Sequence, residues 1–164
     1  SGYSRYEISN YCLPGHQSRH NRVYWTGLGW WSFGQGSTSS PWGEKFTRPR
    51  ISKEYKKWVI NQCENSLDSS LVNKGFLYRE LDEKIMLGMR LREGVDIYKL
   101  FAEQKWEKKE FEINLRSLLK EWEMYLESGL LVRNGNRFLL SDPKGMELSN
   151  QILISMFKWW DKIN

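Results

Sequence analysis

The chain has 164 residues, which is enough for one ordinary domain or for a small domain with part of another. No apolar run approaches the roughly 20 residues that a membrane helix needs, and the absence of a basic segment before an apolar stretch argues against a signal peptide. The only two cysteines, Cys12 and Cys63, argue against a disulfide framework, so we expect a protein of the reducing cytoplasm.

The net charge of +5 is concentrated in the first third of the chain. Residues 1–57 hold nine Lys and Arg against three acids, whereas the remainder holds 16 basic and 17 acidic residues. Twelve of the 24 aromatic residues also lie before position 60. A basic, aromatic-rich segment is compatible with nucleic acid and equally with a flat anionic ligand such as a porphyrin.

Residues 1–50 are predicted to form short strands and loops. The segment 6–11 alternates like a strand, and Pro14 and Gly15 then interrupt it. Residues 27–43 are rich in glycine and serine, but large aromatic residues interrupt this stretch, so we expect an ordered loop. Residues 48–50 are expected to be a solvated linker.

The rest of the chain is predicted to be mostly helical. Ser52 is predicted to be an N-cap, and Gly94 and Gly129 mark the ends of helical patterns. Apolar spacing predicts helices over 52–65, 78–92, 96–104 and 109–127, with a loop at 71–75.

The segment 130–140 consists of two β-prone runs around Asn134-Gly135, the strongest short-range signal for a β-hairpin. A last helix is predicted from Pro143 to Trp160. Helices followed by a hairpin and another helix indicate a winged-helix-like arrangement.

Several sequence motifs follow one another along nearly the whole chain: YEISN at 6–10, HNRVYW at 20–25, FGQGSTS at 33–39, FTRPR at 46–50, IMLGMRLREG at 85–94, FLLS at 138–141 and GMELSN at 145–150. Their order and spacing resemble the oxygen-independent coproporphyrinogen oxidase-like radical S-adenosylmethionine proteins. The better-studied members of that family act as heme chaperones.

The resemblance implies an α+β chain made of two parts. Residues 1–50 would be the last strands and loops of a partial (β/α) radical S-adenosylmethionine barrel, and residues 51–164 a mostly helical, winged-helix-like C-terminal domain. The family's barrel carries a CxxxCxxC motif that binds a [4Fe–4S] cluster and S-adenosylmethionine. Because such a cluster needs at least three thiolates, we expect this chain to be a fragment without radical chemistry or catalytic residues, whose partner is the N-terminal half of the same protein.

The HNxxYW motif and its neighbour supply the candidate heme-binding residues: Arg19, His20, Asn21, Arg22, Tyr24 and Trp25. The imidazole of His20 is the candidate axial ligand of heme iron. The two arginines would pair with propionates, the two rings would flank the porphyrin, and the amide would orient the imidazole. The alternative is a structural histidine near the end of the barrel.

The loop formed by Gly34, Gly36, Ser37 and Thr38 resembles a family loop near the adenosyl group of S-adenosylmethionine. Small residues allow backbone N–H groups to approach a ligand, although such a loop is more often a tight turn.

Cys12, His16 and His20 are spaced by four residues, which would align them on one helix. Pro14 and Gly15 disfavour a continuous helix there, and a fourth ligand is lacking, so the sequence does not favour a zinc site.

Three functions are compatible with these observations. The favoured one is heme binding and transfer to heme-accepting proteins. The second is oxygen-independent coproporphyrinogen III oxidase, which converts two propionates to vinyl groups. The third is a winged-helix nucleic-acid-binding module, which the near-neutral charge of residues 58–164 disfavours. We therefore expect neither a nucleic-acid partner nor a membrane span.

Overall fold

The computed structural model describes residues 2–41, 43, 45–64 and 79–164. The helices are α1 (Arg19–Trp25), α2 (Ser52–Glu64), α3 (Leu81–Met89), α4 (Ile97–Ala102), α5 (Lys108–Glu127), α6 (Lys144–Glu147) and α7 (Ser149–Ile163). The strands are β1 (Ser4–Arg5), β2 (Tyr11–Cys12), β3 (Thr38–Ser39), β4 (Phe46–Thr47), β5 (Val95–Asp96), β6 (Leu131–Asn134) and β7 (Arg137–Leu140).

The chain divides into two compact units. One, the core unit, contains Ser1–Trp25 and Glu80–Asn164, and the other, the hairpin unit, contains Thr26–Arg79. Within the described ranges, no helix combines the length and the apolar character that crossing a bilayer requires. The mixture of helices and small sheets agrees with the predicted α+β class.

The core unit contains a three-stranded antiparallel sheet in the order β5-β7-β6. Strands β6 and β7 form the predicted hairpin, with Leu131 opposite Leu140 and Asn134 opposite Arg137. Gly135 adopts a φ of 60° at the turn, a left-handed conformation that glycine adopts without strain. The hairpin prediction is confirmed.

The core lies between this sheet and helices α3 to α7. Helix α5 turns Leu115, Leu118 and Trp122 inward at helical spacing, and its N-terminus is closed by a capping box between Glu107 and Glu110. The buried cluster consists of Leu81, Ile85, Met89, Val95, Ile97, Phe101, Leu115, Leu118, Trp122, Leu131, Phe138, Leu140, Met146, Ile152, Leu153, Met156 and Trp159.

The predicted helices agree with the structure best where the apolar spacing is longest. The predictions for 52–65 and 109–127 match α2 and α5 almost to the residue, and the prediction for 96–104 matches α4. The helix predicted from 143 to 160 is two helices that meet at Leu148. The predicted loop at 71–75 lies outside the described residues.

The helix predicted over 78–92 is shorter than expected, and α3 ends at Met89. The chain then turns back, because Leu91 forms an antiparallel bridge with Glu7 and the amide of Arg92 donates to the carbonyl of Tyr6 over 3.1 Å. Residues far apart in the sequence therefore end this helix, which apolar spacing could not indicate.

The strand predicted at 6–11 is wrong. The strands are β1 and β2, which pair antiparallel with Ser4 opposite Cys12, and the residues between them form a turn. The amide of Tyr6 donates to the carbonyl of Asn10, and both the amide and the hydroxyl of Ser9 donate to the Glu7 carboxylate. Tyr6 and Glu7 are both buried, so the apparent alternation is not a strand pattern.

In the hairpin unit, β3 and β4 pair antiparallel, and Arg48 lies in the interior with only 6% of its surface exposed. Its guanidinium donates to the hydroxyl of Ser39 over 2.8 Å and packs on the rings of Phe46 and Trp58 at 5.3 and 5.4 Å. The expectation of a solvated linker at 48–50 is wrong for Arg48, because hydroxyl groups and aromatic faces solvate its charge.

Candidate functional site

Helix α1 was not predicted, and it carries every candidate heme-contacting residue. Ser18 caps it: its hydroxyl accepts from the amide of Asn21 over 3.3 Å, and its carbonyl accepts from the amide of Arg22 over 3.1 Å. None of its seven residues is buried, so it lacks the apolar periodicity that would have indicated a helix.

His20 is exposed on the surface of α1. Tyr24 follows one turn later, and its ring meets the imidazole edge-on, with the ring centroids 5.1 Å apart and an angle of 86°. The Tyr24 hydroxyl lies 3.3 Å from Nε2 of His20. The imidazole is therefore oriented by Tyr24 while remaining accessible from solvent.

The side chain of Asn21, which we expected to orient the imidazole, makes a different contact in the structure. Its side-chain amide donates to the hydroxyl of Tyr6 over 3.3 Å, and Tyr6 is 4% exposed. Neighbouring residues on a helix point in different directions, so Asn21 contacts the body of the core unit while His20 contacts Tyr24. Asn21 therefore links α1 to a buried residue of the core unit.

The two aromatic residues of the motif have different surroundings. Tyr24 lies beside His20, whereas the ring of Trp25 carries the guanidinium of Arg90 at 5.2 Å from its centroid. A cation on the face of an indole is a favourable contact that desolvation strengthens. Of the two rings predicted to flank a porphyrin, Tyr24 is the one next to the imidazole.

The two candidate propionate partners also differ. Arg22 donates to Gln17 over 2.6 Å and forms an ion pair with Glu93. Arg19 is exposed and has neither a hydrogen bond nor an ion pair with any residue that the structure describes. Arg19 is therefore free to meet an anion, whereas Arg22 is already engaged by a carboxylate.

The glycine-rich loop belongs to the hairpin unit and is closed by its own hydrogen bonds. The amide of Gly36 donates to the carbonyl of Pro49 over 3.1 Å, and the hydroxyl of Ser37 donates to the carbonyl of Gly34 over 2.7 Å. The hydroxyl of Thr38 lies 2.7 Å from that of Thr47 across the strand pair. Both hydroxyl groups of the predicted ligand-binding loop therefore have partners inside the protein.

The structure does not bring Cys12, His16 and His20 together as metal ligands. Cys12 is buried, whereas both histidines are exposed. Across residues 2–41, 43, 45–64 and 79–164, no group of three or more His, Cys, Asp or Glu is placed to hold a metal ion. Two cysteines, one buried and one exposed, do not fit a [4Fe–4S] cluster, so no chemistry of such a cluster is assigned to this chain.

Comparisons with known proteins identify the family. A family model described as the HemN C-terminal domain matches residues 79–148. A protein named heme chaperone HemW from Synechocystis sp. is 36% identical to the chain, over 96% of the chain and 40% of that protein. The chain belongs to the HemN/HemW family. This confirms the resemblance drawn from the YEISN and HNxxYW motifs.

Other relatives of the chain are more distant. A heme chaperone HemW from Lactococcus lactis is 27% identical over 93% of the chain and 37% of its own length. A protein from Danio rerio named radical S-adenosyl methionine domain-containing protein 1, mitochondrial, is 24% identical over 94% of the chain and 33% of its own length. The chain thus spans two fifths or less of these relatives. No solved structure matches the chain significantly.

Some residues that shape the site in this HemN/HemW-type chain were not predicted to belong to it. Tyr6 anchors α1 through Asn21, and Gln17 and Glu93 hold Arg22. Gln17 lies three residues before the HNxxYW motif, and Glu93 lies inside the motif segment 85–94. Their nearness to these motifs was the available signal. The pairing itself could not be predicted, because Glu93 is 71 residues away from Arg22.

Proposed function

We propose that this protein binds heme on helix α1, with His20 as the axial iron ligand, and passes the heme to acceptor proteins. One observation supports this proposal above the others: the imidazole of a HemN/HemW family motif is exposed at the surface and held by Tyr24. A sealed histidine could not reach an external porphyrin. An imidazole on an exposed helix can bind heme and release it.

The chemistry follows from the groups around His20. A neutral imidazole nitrogen is a good ligand for heme iron, and binding through Nε2 would replace its contact with the Tyr24 hydroxyl. The Tyr24 ring then lies beside the bound macrocycle, and Arg19 supplies a cation for a propionate. An open surface site with one protein ligand is consistent with transfer to another protein.

The remaining parts of the function belong to the longer protein. We propose that residues 1–50 complete a radical S-adenosylmethionine barrel and that residues 51–164 form a winged-helix-like domain. In the longer protein, a [4Fe–4S] cluster and S-adenosylmethionine would bind to the barrel, with the loop of Gly34, Gly36, Ser37 and Thr38 near the adenosyl group. The order helix, strand, two helices and hairpin in α3 to β7 supports the winged-helix assignment. The cysteine content supports a cytoplasmic location.

The names of the two bacterial relatives favour heme transfer over oxidative decarboxylation of coproporphyrinogen, since both are named heme chaperones. For nucleic-acid binding, the hairpin arginines would be the natural phosphate contacts. Arg133 instead donates to the hydroxyl of Tyr98, and Arg137 donates to the carbonyls of Glu93 and Gly94. No observation specifically favours that alternative.

A hemin titration tests the proposal. The chain has only two histidines, so His16→Ala is a matched control for His20→Ala. Both side chains are exposed, and neither change removes core packing. We expect the wild type and His16→Ala to give the same Soret band, and His20→Ala to lose it or shift it at the same hemin concentration. An unchanged Soret band in His20→Ala would contradict the assignment of the ligand.

A further inference from the structure

A cleft of about 350 Å³ opens in the core unit beside the start of α1. Its lining residues are Ser4, Arg5, Tyr6, Gln17, Arg92 and Glu93. Ligand pockets for drug-sized molecules measure roughly 300–1,000 Å³, so this volume suits a small acid or one side arm of a larger ligand.

Among the charged residues that the structure describes around the cleft, one cation has no ion pair. Arg5 forms an ion pair with Asp142 at 3.3 Å, and its hydrogen bond to the Tyr11 hydroxyl, with smaller contributions from nearby acids, raises its pKa above its ordinary value. Glu93 is neutralised by Arg22. Arg92 donates to the carbonyl of Arg5 over 3.2 Å and has no ion pair with any described residue.

We propose that this cleft binds one carboxylate through Arg92 and that the carboxylate is a propionate of the heme bound at His20. The second part rests on the proposed function. Arginine presents a planar fork of N–H donors that matches a carboxylate, and only one of the Arg92 nitrogens is used by the Arg5 carbonyl. The side-chain amide nitrogen of Gln17, which has no partner among the described residues, is a second donor in the lining.

The cleft and His20 are within reach of one tetrapyrrole. Gln17 lines the cleft and precedes His20 by three residues, which separates their Cα atoms by at most about 11 Å. Arg22 ties α1 to the wall of the cleft, because it bonds both Gln17 and Glu93. The ion pair of Arg22 with Glu93 makes Arg92, rather than Arg22, the cation available to a propionate on this side of the helix.

Substitution of Arg92 tests the proposal. Arg92→Gln removes the charge, and Arg92→Lys keeps the charge without the fork. Arg116→Gln is the control, because it removes another exposed arginine, on α5, that has no partner among the described residues. A hydrogen bond to a charged group contributes about 1.5–3 kcal/mol, so we expect Arg92→Gln to raise the Kd for hemin roughly tenfold or more. The Kd of Arg92→Lys should lie between those of the wild type and Arg92→Gln. The Kd of Arg116→Gln should equal that of the wild type.

The same titration with hemin dimethyl ester, which lacks free carboxylates, should show no difference between the wild type and Arg92→Gln. Equal effects of Arg92→Gln and Arg116→Gln on hemin binding would overturn the proposal. Equal weakening of hemin and its dimethyl ester by Arg92→Gln would overturn it as well.

Metal-free protoporphyrin IX, followed by its fluorescence, separates this proposal from the assignment of His20. Arg92→Gln should weaken its binding, whereas His20→Ala should not, because there is no iron to ligate. If His20→Ala leaves hemin binding intact while Arg92→Gln weakens the binding of both hemin and protoporphyrin IX, the assignment of His20 as iron ligand is wrong and the carboxylate cleft stands. The cleft proposal fails if the wild type binds no protoporphyrin IX, or if His20→Ala weakens hemin binding and Arg92→Gln does not.

Discussion

The interiors of the core unit and the hairpin unit differ in kind. The core unit buries one continuous cluster of aliphatic and aromatic side chains, in which the Phe101 ring stacks on Trp159 at 5.6 Å. In the described part of the hairpin unit, no large apolar side chain is fully buried, and the buried polar side chains are Ser39, Ser40, Arg48 and Arg79. Apolar burial is non-directional, whereas hydrogen bonds around a buried cation depend on each partner.

The difference indicates where each unit is vulnerable. A packed apolar core loses stability in proportion to the volume removed from it. A polar interior loses it when a single donor or acceptor is left unsatisfied. Helix α1 shares its compact unit with the apolar core, and Tyr6 and Glu93 hold it there, so a packed unit supports the exposed His20.

The largest effect is expected from Phe101→Ala. Phe101 is fully buried and contacts the rings of Trp106, Phe111 and Trp159. Truncating a buried phenylalanine lowers the free energy of unfolding by about 3–5 kcal/mol. Met124→Ala is the control, because Met124 is 64% exposed and its loss should change stability by less than about 0.5 kcal/mol. Denaturant titrations followed by circular dichroism would compare them, and similar midpoints for the two variants would show that the core does not carry the stability.

A smaller and local effect is expected from Arg48→Ala. The change removes the donor shared by Ser37 and Ser39 and the cation between Phe46 and Trp58, at a cost of about 1–3 kcal/mol. Hydrogen exchange should show faster opening of amides in the hairpin unit and unchanged protection in β6 and β7. Arg48→Lys should restore only part of the protection, because lysine lacks the planar fork. Equal loss of protection in both units would contradict the difference between them.

The smallest expected effect is the pH dependence that Asp82 introduces into the core unit. Burial raises the pKa of Asp82 above its ordinary value of 3.8, and nearby acids add to this rise. The folded state therefore binds this proton more tightly than the unfolded state, and the contribution of Asp82 to stability falls as the pH rises from about 3.8 through the folded pKa.

Asp82→Asn should remove this contribution. Its stability relative to the wild type should be greatest at neutral pH, and the difference should shrink as the pH falls toward 3.8. Urea unfolding at several pH values would measure it. A difference that grows on acidification would show that the ionised carboxylate stabilises the fold.

Elements with strong local signals could be predicted from the sequence. The hairpin was predictable from the Asn134-Gly135 turn, and α5 was predictable from its apolar stripe. Both signals depend only on residues that are close together in the sequence. Helix α1 was not predicted because it buries no residue. The length of α3 was overestimated because its end depends on Glu7, which is more than 80 residues away in the sequence.

The candidate site was predictable only in part. His20 was identified through a motif, and its contact with Tyr24 follows from helical spacing. The cleft around Arg92 was not identified, because it is formed by contacts between distant segments, such as that between Arg92 and the Arg5 carbonyl. The burial of Arg48 was missed for a different reason, because charged residues are ordinarily exposed.

The most direct test of the central claim is to detect the nitrogen that ligates the iron. Because the chain contains only two histidines, labelling with 15N-histidine and recording hyperfine spectra of the ferric hemin complex reports on those two imidazoles alone. We expect 15N coupling to the iron in the wild type and in His16→Ala, and none in His20→Ala. Coupling that persists in His20→Ala, or that is absent from the wild type, would contradict the account.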